Sequence, residues 1–484
     1  MKKVVRSWIA VVALACAAVA VAACSGKKSH FEPIPFPQGF LWGSANASYQ
    51  VEGGNTNDDW WAWEKRPGAI LHGDTAGNAT DFYHLYDTDF ALAQADGHNA
   101  FRFSIEWSRV EPQIGVFDTN EIAHYHAVIS AARARGLVPV VTLEHWTLPL
   151  WADDPRNPPD PAVGWISTSV QTEFVAFSGR MAQEYGADVD DWITFNEPMV
   201  AAVGAFQGVF PPDLGASLDR TTLYVLGMIA AHAKAYDAIH ALDTIDADSD
   251  GIAAKVGIAQ HIVAFHPKTS SSADQLATAR LDHIFNRLFL DAAARGDLDV
   301  NLDGDTLDAG EGNHPELGQR LDFVGLNYYR KYLVISGIPE PILGFPADDP
   351  STPHNDLGWS IYPRGMYEAL KEVGEYDLPV LITENGIADA DDGKRAAYTI
   401  DHLVYVARAI REGVTVTGYL HWSLTDNFEW AQGYSAKFGL YSFDPVTQAR
   451  TARPSAKIFA EIAKANALTT SVQDAHRTVA KDAP

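Results

Sequence analysis

The stretch Val380-Leu381-Ile382-Thr383-Glu384-Asn385-Gly386 runs from a short apolar, β-branched segment straight into a carboxylate, an amide and a glycine. Residues 380–383 have the length and composition of a strand buried on both faces, and no spacer separates them from the polar residues at their end. Residues 192–195, followed at once by Asn196 and Glu197, repeat the arrangement. Six further apolar runs share its outline, at residues 40–45, 100–105, 138–143, 256–259, 323–326 and 417–420. Amphipathic stretches fall between them, among them residues 121–135, 169–185, 224–242 and 400–412. Eight short strands alternating with helices predict an α/β fold, a single (β/α)8 TIM barrel, with its active site at the C-terminal ends of the strands.

Length and composition agree with that reading. A chain of 484 residues exceeds an ordinary domain of about 150 residues, but closed α/β barrels with insertions extend past about 400 residues as one unit. No linker or internal repeat divides the body. A hydrophobic content of 47% supports a large core and excludes a disordered or collagen-like chain. The formal net charge of −26 argues against a nucleic-acid partner, which needs a basic face to displace phosphate counterions. It also makes polyanions poor substrates unless a local basic pocket receives them. Both cysteines, Cys16 and Cys24, lie in the first 24 residues. The body therefore has no disulfide, thiolate chemistry or cysteine-ligated metal.

Residues 1–23 read as a signal peptide: Lys2, Lys3 and Arg6 precede an Ala-rich apolar run ending in small residues. That run, residues 7–23, is at the short limit for a membrane span. Val21-Ala22-Ala23-Cys24 is similar to a bacterial lipobox, which would leave Cys24 as a lipidated N-terminus and residues 24–35 as a tether. Ordinary cleavage near the same place is the rival. The expected location is the bacterial cell envelope, facing the periplasm or the cell surface, with membrane contact only through the lipid anchor. Residues 36–467 form the expected catalytic domain, and the polar residues 468–484 an expected disordered tail. Oligomeric state is not encoded in any of these features.

In a barrel the strand ends share one mouth. Beyond the third run stand His145 and Trp146, and beyond the fourth Asn196 and Glu197. Asn327, Tyr328 and Tyr329 follow the sixth, Glu384 and Asn385 the seventh, His421 and Trp422 the eighth. Five strand ends supplying carboxylates, amides, imidazoles and indoles describe a binding site. Glu197 and Glu384 matter most. Cleavage of an acetal needs one carboxylic acid to protonate the leaving oxygen and a second carboxylate to attack or stabilise an oxocarbenium-like centre. A lone Glu at a strand end caps or salt-bridges, but a pair, each beside an Asn in a mouth lined by tryptophans, suits a sugar. Indoles pack on its C–H faces, while carboxylates and amides take its hydroxyls.

These residues resemble the retaining β-glycosidases of glycoside hydrolase family 1. The resemblance covers about residues 36–462 and rests on ordered motifs: FPQGFLWGSANASYQVEGG (36–54), FRFSIEWSRVEP (101–112), TLEHWTLP (142–149), TFNEP (194–198), GLNYY (325–329), ITENG (382–386) and HWSLTDNFEWAQGYSAKFGL (421–440). It implies that Glu197 is the general acid/base and Glu384 the nucleophile forming a covalent glycosyl-enzyme. Asn196 would bond the sugar 2-hydroxyl, and Arg102 and Tyr329 would hold Glu384 ionised and oriented. Gln50, His145, Trp146, Asn327, Trp422, Glu429 and Trp430 would line the glycone subsite. Trp42, Trp107 and Trp192 are read as packing. Where many members carry Asp after the His-Trp pair, this chain has Thr147, which puts local subsite detail in doubt.

The implied activity is that of a retaining exo-β-glycosidase acting on small-molecule or oligosaccharide β-glycosides, β-glucosides first among them, without cofactor or catalytic metal. Glu429 stands where family members that act on 6-phospho-sugars commonly have Ser, so an unphosphorylated glycone is expected. A Glu429 carboxylate would repel the phosphate, and Lys437, close in sequence, could offset part of that repulsion. A transglycosidase would use the same intermediate. A non-catalytic surface sugar-binding protein would have lost a carboxylate, and a thioglucosidase would carry Gln at position 197. Two acidic loops, with Asp246, Asp248 and Asp250, and with Asp299, Asn301, Asp303 and Asp305, space oxygen ligands as calcium loops do. Both lack Glu at the twelfth position, where Gly257 and Gly310 stand, and a solvated acidic insertion is the simpler reading.

Overall fold

Each of the eight apolar runs is a strand. The computed structural model describes residues 31–157, 163–304, 306–337 and 347–480. Its central strands are β1 (Leu41–Ala45), β2 (Ala100–Ser104), β3 (Val138–Glu144), β4 (Asp191–Asn196), β5 (Lys255–His261), β6 (Phe323–Asn327), β7 (Val380–Asn385) and β8 (Val416–Trp422). All pair in parallel and in chain order, and β8 returns to β1 through Leu420 opposite Gly43, closing the barrel. Gly43 is required there. A Cβ at that position would lie 2.2 Å from the Ala100 carbonyl oxygen, so any side chain would push β1 off β2.

The lower barrel is plugged by Ala100, Val140, Ile193, Ala259, Phe323, Leu381 and Leu420, one from each of β2 to β8, with Leu41 and Val138 packed against them. This apolar layer is a solid floor, as in barrels whose interiors are filled by side chains from successive strands. Outside the strands lie α1 (Phe82–Ala95), α2 (Thr119–Ala134), α3 (Thr168–Tyr185), α4 (Leu218–Leu242), α5 (Leu288–Arg295), α6 (Arg364–Val373), α7 (Arg395–Arg411) and α8 (Pro454–Ala465). α4 begins six residues before the apolar periodicity does, because Ser217 accepts a hydrogen bond from the Arg220 N–H and caps it there. Trp42, Trp107 and Trp192 are buried in the layer between strands and helices. Each indole N–H is satisfied, by Asn466, Glu111 and Asp243 respectively.

The expectation of a disordered tail from residue 468 is corrected as far as residue 480. Ala467–Leu468 pairs antiparallel with Ile34–Pro35, so the end of the expected tether also belongs to the fold. Thr470–His476 is a helix capped by Thr469. Leu468 and Val472 are buried, and Gln473 donates to the carbonyls of Glu32 and Leu468. Two docked apolar side chains leave no periodicity to read, and the polar composition hid the segment. Residues 1–30, with the signal segment and Cys24, lie outside the described residues, as do 481–484.

Truncation after Asn466 removes the burial of Leu468 and Val472, about 3 kcal/mol together. It should lower the midpoint of thermal unfolding by about 2–5 °C, and an unchanged midpoint would show that the segment does not dock in solution.

Candidate active site

The strand register breaks where the barrel opens. Pairing shifts between Ile193 and Asn196 on β4, between Leu326 and Asn327 on β6, and between Ile382 and Asn385 on β7. Such irregularities re-aim the side chains beyond them. Three residues of the mouth also adopt left-handed backbone conformations, Glu197 (φ 46°), Trp146 (φ 73°) and Trp430 (φ 48°). Each costs on the order of 1 kcal/mol or more and persists only where its surroundings over-determine it. The Glu197 N–H is held by the Ala259 carbonyl at 2.7 Å, and Trp146 Nε1 donates to the Asn196 carbonyl at 2.9 Å.

Arg102, on β2 and without exposed surface, organises the floor of this mouth. Its Nη1 donates to Glu384 Oε1 at 2.6 Å, its Nη2 to Asn196 Oδ1 at 2.7 Å and its Nε to Thr142 Oγ1 at 3.0 Å. The second oxygen of Glu384 accepts from the Tyr329 hydroxyl at 2.7 Å. Burial pushes the Glu384 carboxyl up to about 7, Arg102 and the Tyr329 bond opposing the rise and the nearby Glu197 adding to it. Burial, then the Glu384 charge, raises the Tyr329 phenol far above its usual value, so it stays a donor.

Glu197 is held differently. Asn327 Nδ2 donates to its Oε1 at 2.8 Å, and His261 Nδ1 lies 3.0 Å from the same atom. Asn327 is oriented in turn by Thr383 Oγ1, which donates to its Oδ1 at 2.6 Å. Glu197 Oε2 has no protein partner among the described residues. Glu384 thus has both oxygens occupied by donors, whereas Glu197 has one occupied and one facing the cavity.

Asn196 Nδ2 donates to His145 Nε2 at 3.0 Å, which assigns the hydrogen of this imidazole to Nδ1. Burial, then Arg102, holds His145 neutral. Its ring is nearly parallel to those of Trp422 and Trp430, at 5.9 and 6.1 Å. Gln50, in the turn after β1, donates to Glu429 Oε2 at 3.3 Å. Burial at the cavity wall, then the Glu384 charge, pushes Glu429 up to about 8, and hydrogen bonds from Trp422 and Gln50 do not cancel this. His145 Nδ1 and Gln50 Oε1 are buried with no partner among the described residues. They are a donor and an acceptor that a polyhydroxylated ligand would satisfy. The opposite side of the cavity is apolar, with Val200, Val203, Phe210, Phe285, Leu357 and Trp359.

Most of the residues expected at the mouth meet there: His145, Trp146, Asn196, Glu197, Tyr329, Glu384, Trp422, Glu429 and Trp430 line the cavity, and Arg102, Asn327 and Gln50 bond to its walls. Three strand-end residues do not. Tyr328, Asn385 and His421 point into the helical layer, where Tyr328 bonds the Tyr362 carbonyl, Asn385 bonds Tyr398 and Tyr419, and His421 packs on Phe459. Successive residues of a strand face opposite sides, so each in-pointing neighbour forces the next one out. Thr147 is also turned away, donating to Glu106. His261 is a site residue that the reading of the fifth run missed, because the strand continues past residue 259 and His261 ends it.

The acidic loops are built on their own hydrogen bonds. Asp246 accepts from the N–H groups of Ser249, Asp250 and Gly251, and Lys255 Nζ bridges Asp248 and Asp250 at 3.0 and 2.6 Å. Oxygens of Asp190, Asp246 and Asp248 lie within 4.8 Å of one another. Asp190, not foreseen in this loop, also accepts the N–H groups of Ala247 and Asp248. In the second loop Asp299 accepts from Leu302 and Gly304, and Asn301 donates to Asp303 and Asp308. Asp305 lies outside the described residues.

A closed parallel barrel with two differently held carboxylates at its C-terminal mouth defines a class of acetal-cleaving enzymes, and the comparisons agree. The profile of Glycosyl hydrolase family 1 matches residues 32–468. A β-galactosidase of Pyrococcus woesei is 35% identical over 91% of this chain and 99% of its own length. β-Glucosidase A of Thermotoga maritima is 35% identical over 90% of this chain and 98% of its own. Among solved structures, a β-glycosidase from Pyrococcus horikoshii superposes with a TM-score of 0.81 at 32% identity, covering 92% of this chain and 99% of that one. The Thermotoga maritima β-glucosidase in complex with glucoimidazole gives 0.80 at 33%, covering 89% and 99%. The chain belongs to glycosyl hydrolase family 1 and is a glycoside hydrolase.

Glu429 yields a stability test. Its folded value of about 8 lies above the usual 4.5, so the native state binds more protons in that window and stability falls as pH rises through it. Glu429→Gln removes the dependence. The variant should be more stable than the wild type by about 1–2 kcal/mol at pH 9, a figure reduced for cavity water, and no more stable at pH 4. Thermal unfolding at both pH values checks this, and an equal shift at both would refute it.

Proposed function

We propose that the protein is a retaining exo-β-glycosidase that hydrolyses unphosphorylated β-glycosides, β-glucosides first among them, by double displacement. The observation that carries this is the asymmetry of the two carboxylates. Glu384, with both oxygens held by donors, is oriented as a nucleophile, and Arg102 and Tyr329 keep its ionised form accessible near neutral pH despite burial. Glu197, with Oε1 engaged as an acceptor, has Oε2 left to carry a proton towards a leaving group.

In the first step Glu384 attacks the anomeric carbon while Glu197 Oε2 protonates the glycosidic oxygen, which departs with the bonding electron pair. The Glu384 charge is consumed in the ester, and the departing group carries off the Glu197 proton, leaving Glu197 as a base. Glu197 then takes a proton from water, the oxygen of that water attacks the same carbon, and Glu384 leaves as carboxylate. Two inversions give net retention. Asn196, positioned by Arg102 and His145, is placed for the 2-hydroxyl, and Gln50, His145, Trp146, Asn327, Trp422, Glu429 and Trp430 receive the rest of the glycone.

The names of the relatives, β-galactosidases and β-glucosidases, support β-glycosides as substrates, as do the castanospermine and deoxynojirimycin complexes of the Thermotoga maritima enzyme. Glu429 at the glycone wall argues against a 6-phosphate: a buried carboxyl held up to about 8 offers at most one donor, where a dianion needs basic or several hydrogen-bonding partners. Lys437 is not among the cavity-lining residues. The Glu384→Ala variant should lose nearly all turnover and regain activity with azide, releasing an α-glycosyl azide. NMR of the first-formed wild-type product should show the β anomer, and an α anomer would overturn retention.

We further infer from residues 1–24 that the enzyme is exported and acylated on Cys24, in the bacterial cell envelope. No helix of the described residues is long and apolar enough to cross a membrane. Cys24→Ser should move the enzyme from the membrane fraction to the soluble fraction with activity intact. Mass spectrometry showing an unmodified Cys24 would end the idea.

A further inference from the structure

Among the described residues that line the catalytic cavity, Arg330 is the single lysine or arginine. It directly follows Tyr329, whose hydroxyl bonds Glu384, and lines the same cavity. That cavity is shared with His261, which bonds Glu197 and meets Phe285 edge-on at 5.9 Å. The guanidinium carbon lies 4.2 Å from the ring centre of Tyr332 and 4.5 Å from that of Trp359. These rings hold the faces of the cation and leave its rim of N–H donors unspent.

The rim has almost nothing to bond. Arg330 donates no hydrogen bond among the described residues, and its nearest carboxylate, Asp348, is 3.7 Å away, beyond the range of a charge-assisted hydrogen bond. The other deeply placed arginines are paired closely. Arg102 reaches Glu384 at 2.6 Å, Arg450 grips Asp89 at 2.8 and 2.9 Å, and Arg453 grips Asp426 at 3.0 and 2.7 Å. Burial lowers Arg330 to about 10, which leaves it charged at neutral pH. A desolvated cation without a close anion is costly, and here it stands in an open cavity of an enzyme whose net charge is −26.

We propose that Arg330 is the recognition site for a carboxylate-bearing aglycone. The planar fork of a guanidinium matches a carboxylate in two parallel hydrogen bonds. Other charged and titratable groups constrain where that anion sits. Glu197, Glu384 and Glu429 line the other part of the cavity and offer an anion carboxyl oxygens instead of a cation, and Arg102 is already saturated by Glu384 and Asn196. His145 is neutral, His261 is engaged with Glu197, and Asp348 competes as an ion-pair partner at 3.7 Å that makes no hydrogen bond to the guanidinium. An anion is therefore tolerated at the aglycone end and nowhere else in the cavity. The apolar walls formed by Val263, Phe285 and Leu357 exclude water around the pair and strengthen it.

This inference rests on the glycosidase reading, and the experiment separates the two. Two substrate pairs are compared by kcat/KM, each differing by one charge at constant shape: β-glucosyl-(1→4)-glucuronic acid against its 6-amide, and 4-carboxyphenyl β-glucoside against the 4-carbamoylphenyl compound. In the aryl pair the amide has the better leaving phenol, so leaving-group ability works against the expected preference. The carboxylate should be preferred by about tenfold in at least one pair, as a single charge-assisted hydrogen bond gives. A preference in the first pair identifies a sugar acid, and one confined to the second a phenolic acid. Arg330→Gln should bring the ratio to one or below, and Arg330→Lys should retain part of it. The ratio is read within one preparation, so it does not depend on how much of a variant folds. Equal turnover of acid and amide in both pairs, or a preference that survives Arg330→Gln, would overturn the proposal while leaving the glycosidase reading intact. Failure to hydrolyse any of the four would overturn both.

Discussion

A guanidinium without exposed surface at the base of the cavity is the constraint on which the rest of this site depends. Arg102 can remain charged there only because Glu384 lies against it and Asn196 and Thr142 accept its other protons. Glu384 in turn can remain available as a carboxylate in a buried position only because Arg102 and Tyr329 oppose the desolvation. Each is an expensive group made tolerable by the other. The pair also fixes geometry. Arg102 reaches strands β3, β4 and β7 from β2, so the relative placement of both carboxylates is tied to one side chain through Asn196 and Asn327.

The barrel supplies what such a network needs, a rigid floor below and an interrupted register above. The apolar layer from β2 to β8 fills the barrel with buried side chains. At the open ends, the shifts on β4, β6 and β7 turn Asn196, Asn327 and Glu384 into a common space. Left-handed conformations at Glu197, Trp146 and Trp430 concentrate backbone strain in that space, where many hydrogen bonds hold it. Stability and function pull in opposite directions here, and Glu429 shows it most directly: its carboxyl has no cation and is placed for a ligand.

The distribution of charge follows the same division. The surface is acidic, the glycone end of the cavity carries three carboxylates against one saturated arginine, and the aglycone end presents Arg330. On the proposed reading a substrate would be sorted along the cavity by charge as well as by shape. His261 belongs to this sorting too. Together with Asn327 it lies against one oxygen of Glu197 and leaves the other facing the cavity.

Much of this was legible in the order of residues alone. Eight buried strands announce themselves by continuous β-branched and aromatic runs, since a strand covered on both faces has no polar positions. Glu197, Glu384 and their neighbours are legible because catalytic groups in a barrel stand where those runs stop. Other features required the tertiary structure, for reasons of geometry. The pleat decides that Asn327 and Tyr329 face the cavity while Tyr328 faces a helix, and a register shift of one residue would reverse that choice. The closing segment at residues 467–480 has too few apolar side chains to signal itself, and it is held by pairing with Ile34–Pro35, more than 400 residues away along the chain. Arg330 reads in sequence as one more polar residue after a strand. Only the folded chain brings Tyr332 and Trp359 against it and leaves its nearest carboxylate at 3.7 Å. A charge without a close counter-ion is a property of three-dimensional surroundings, which a list of neighbours along the chain does not contain.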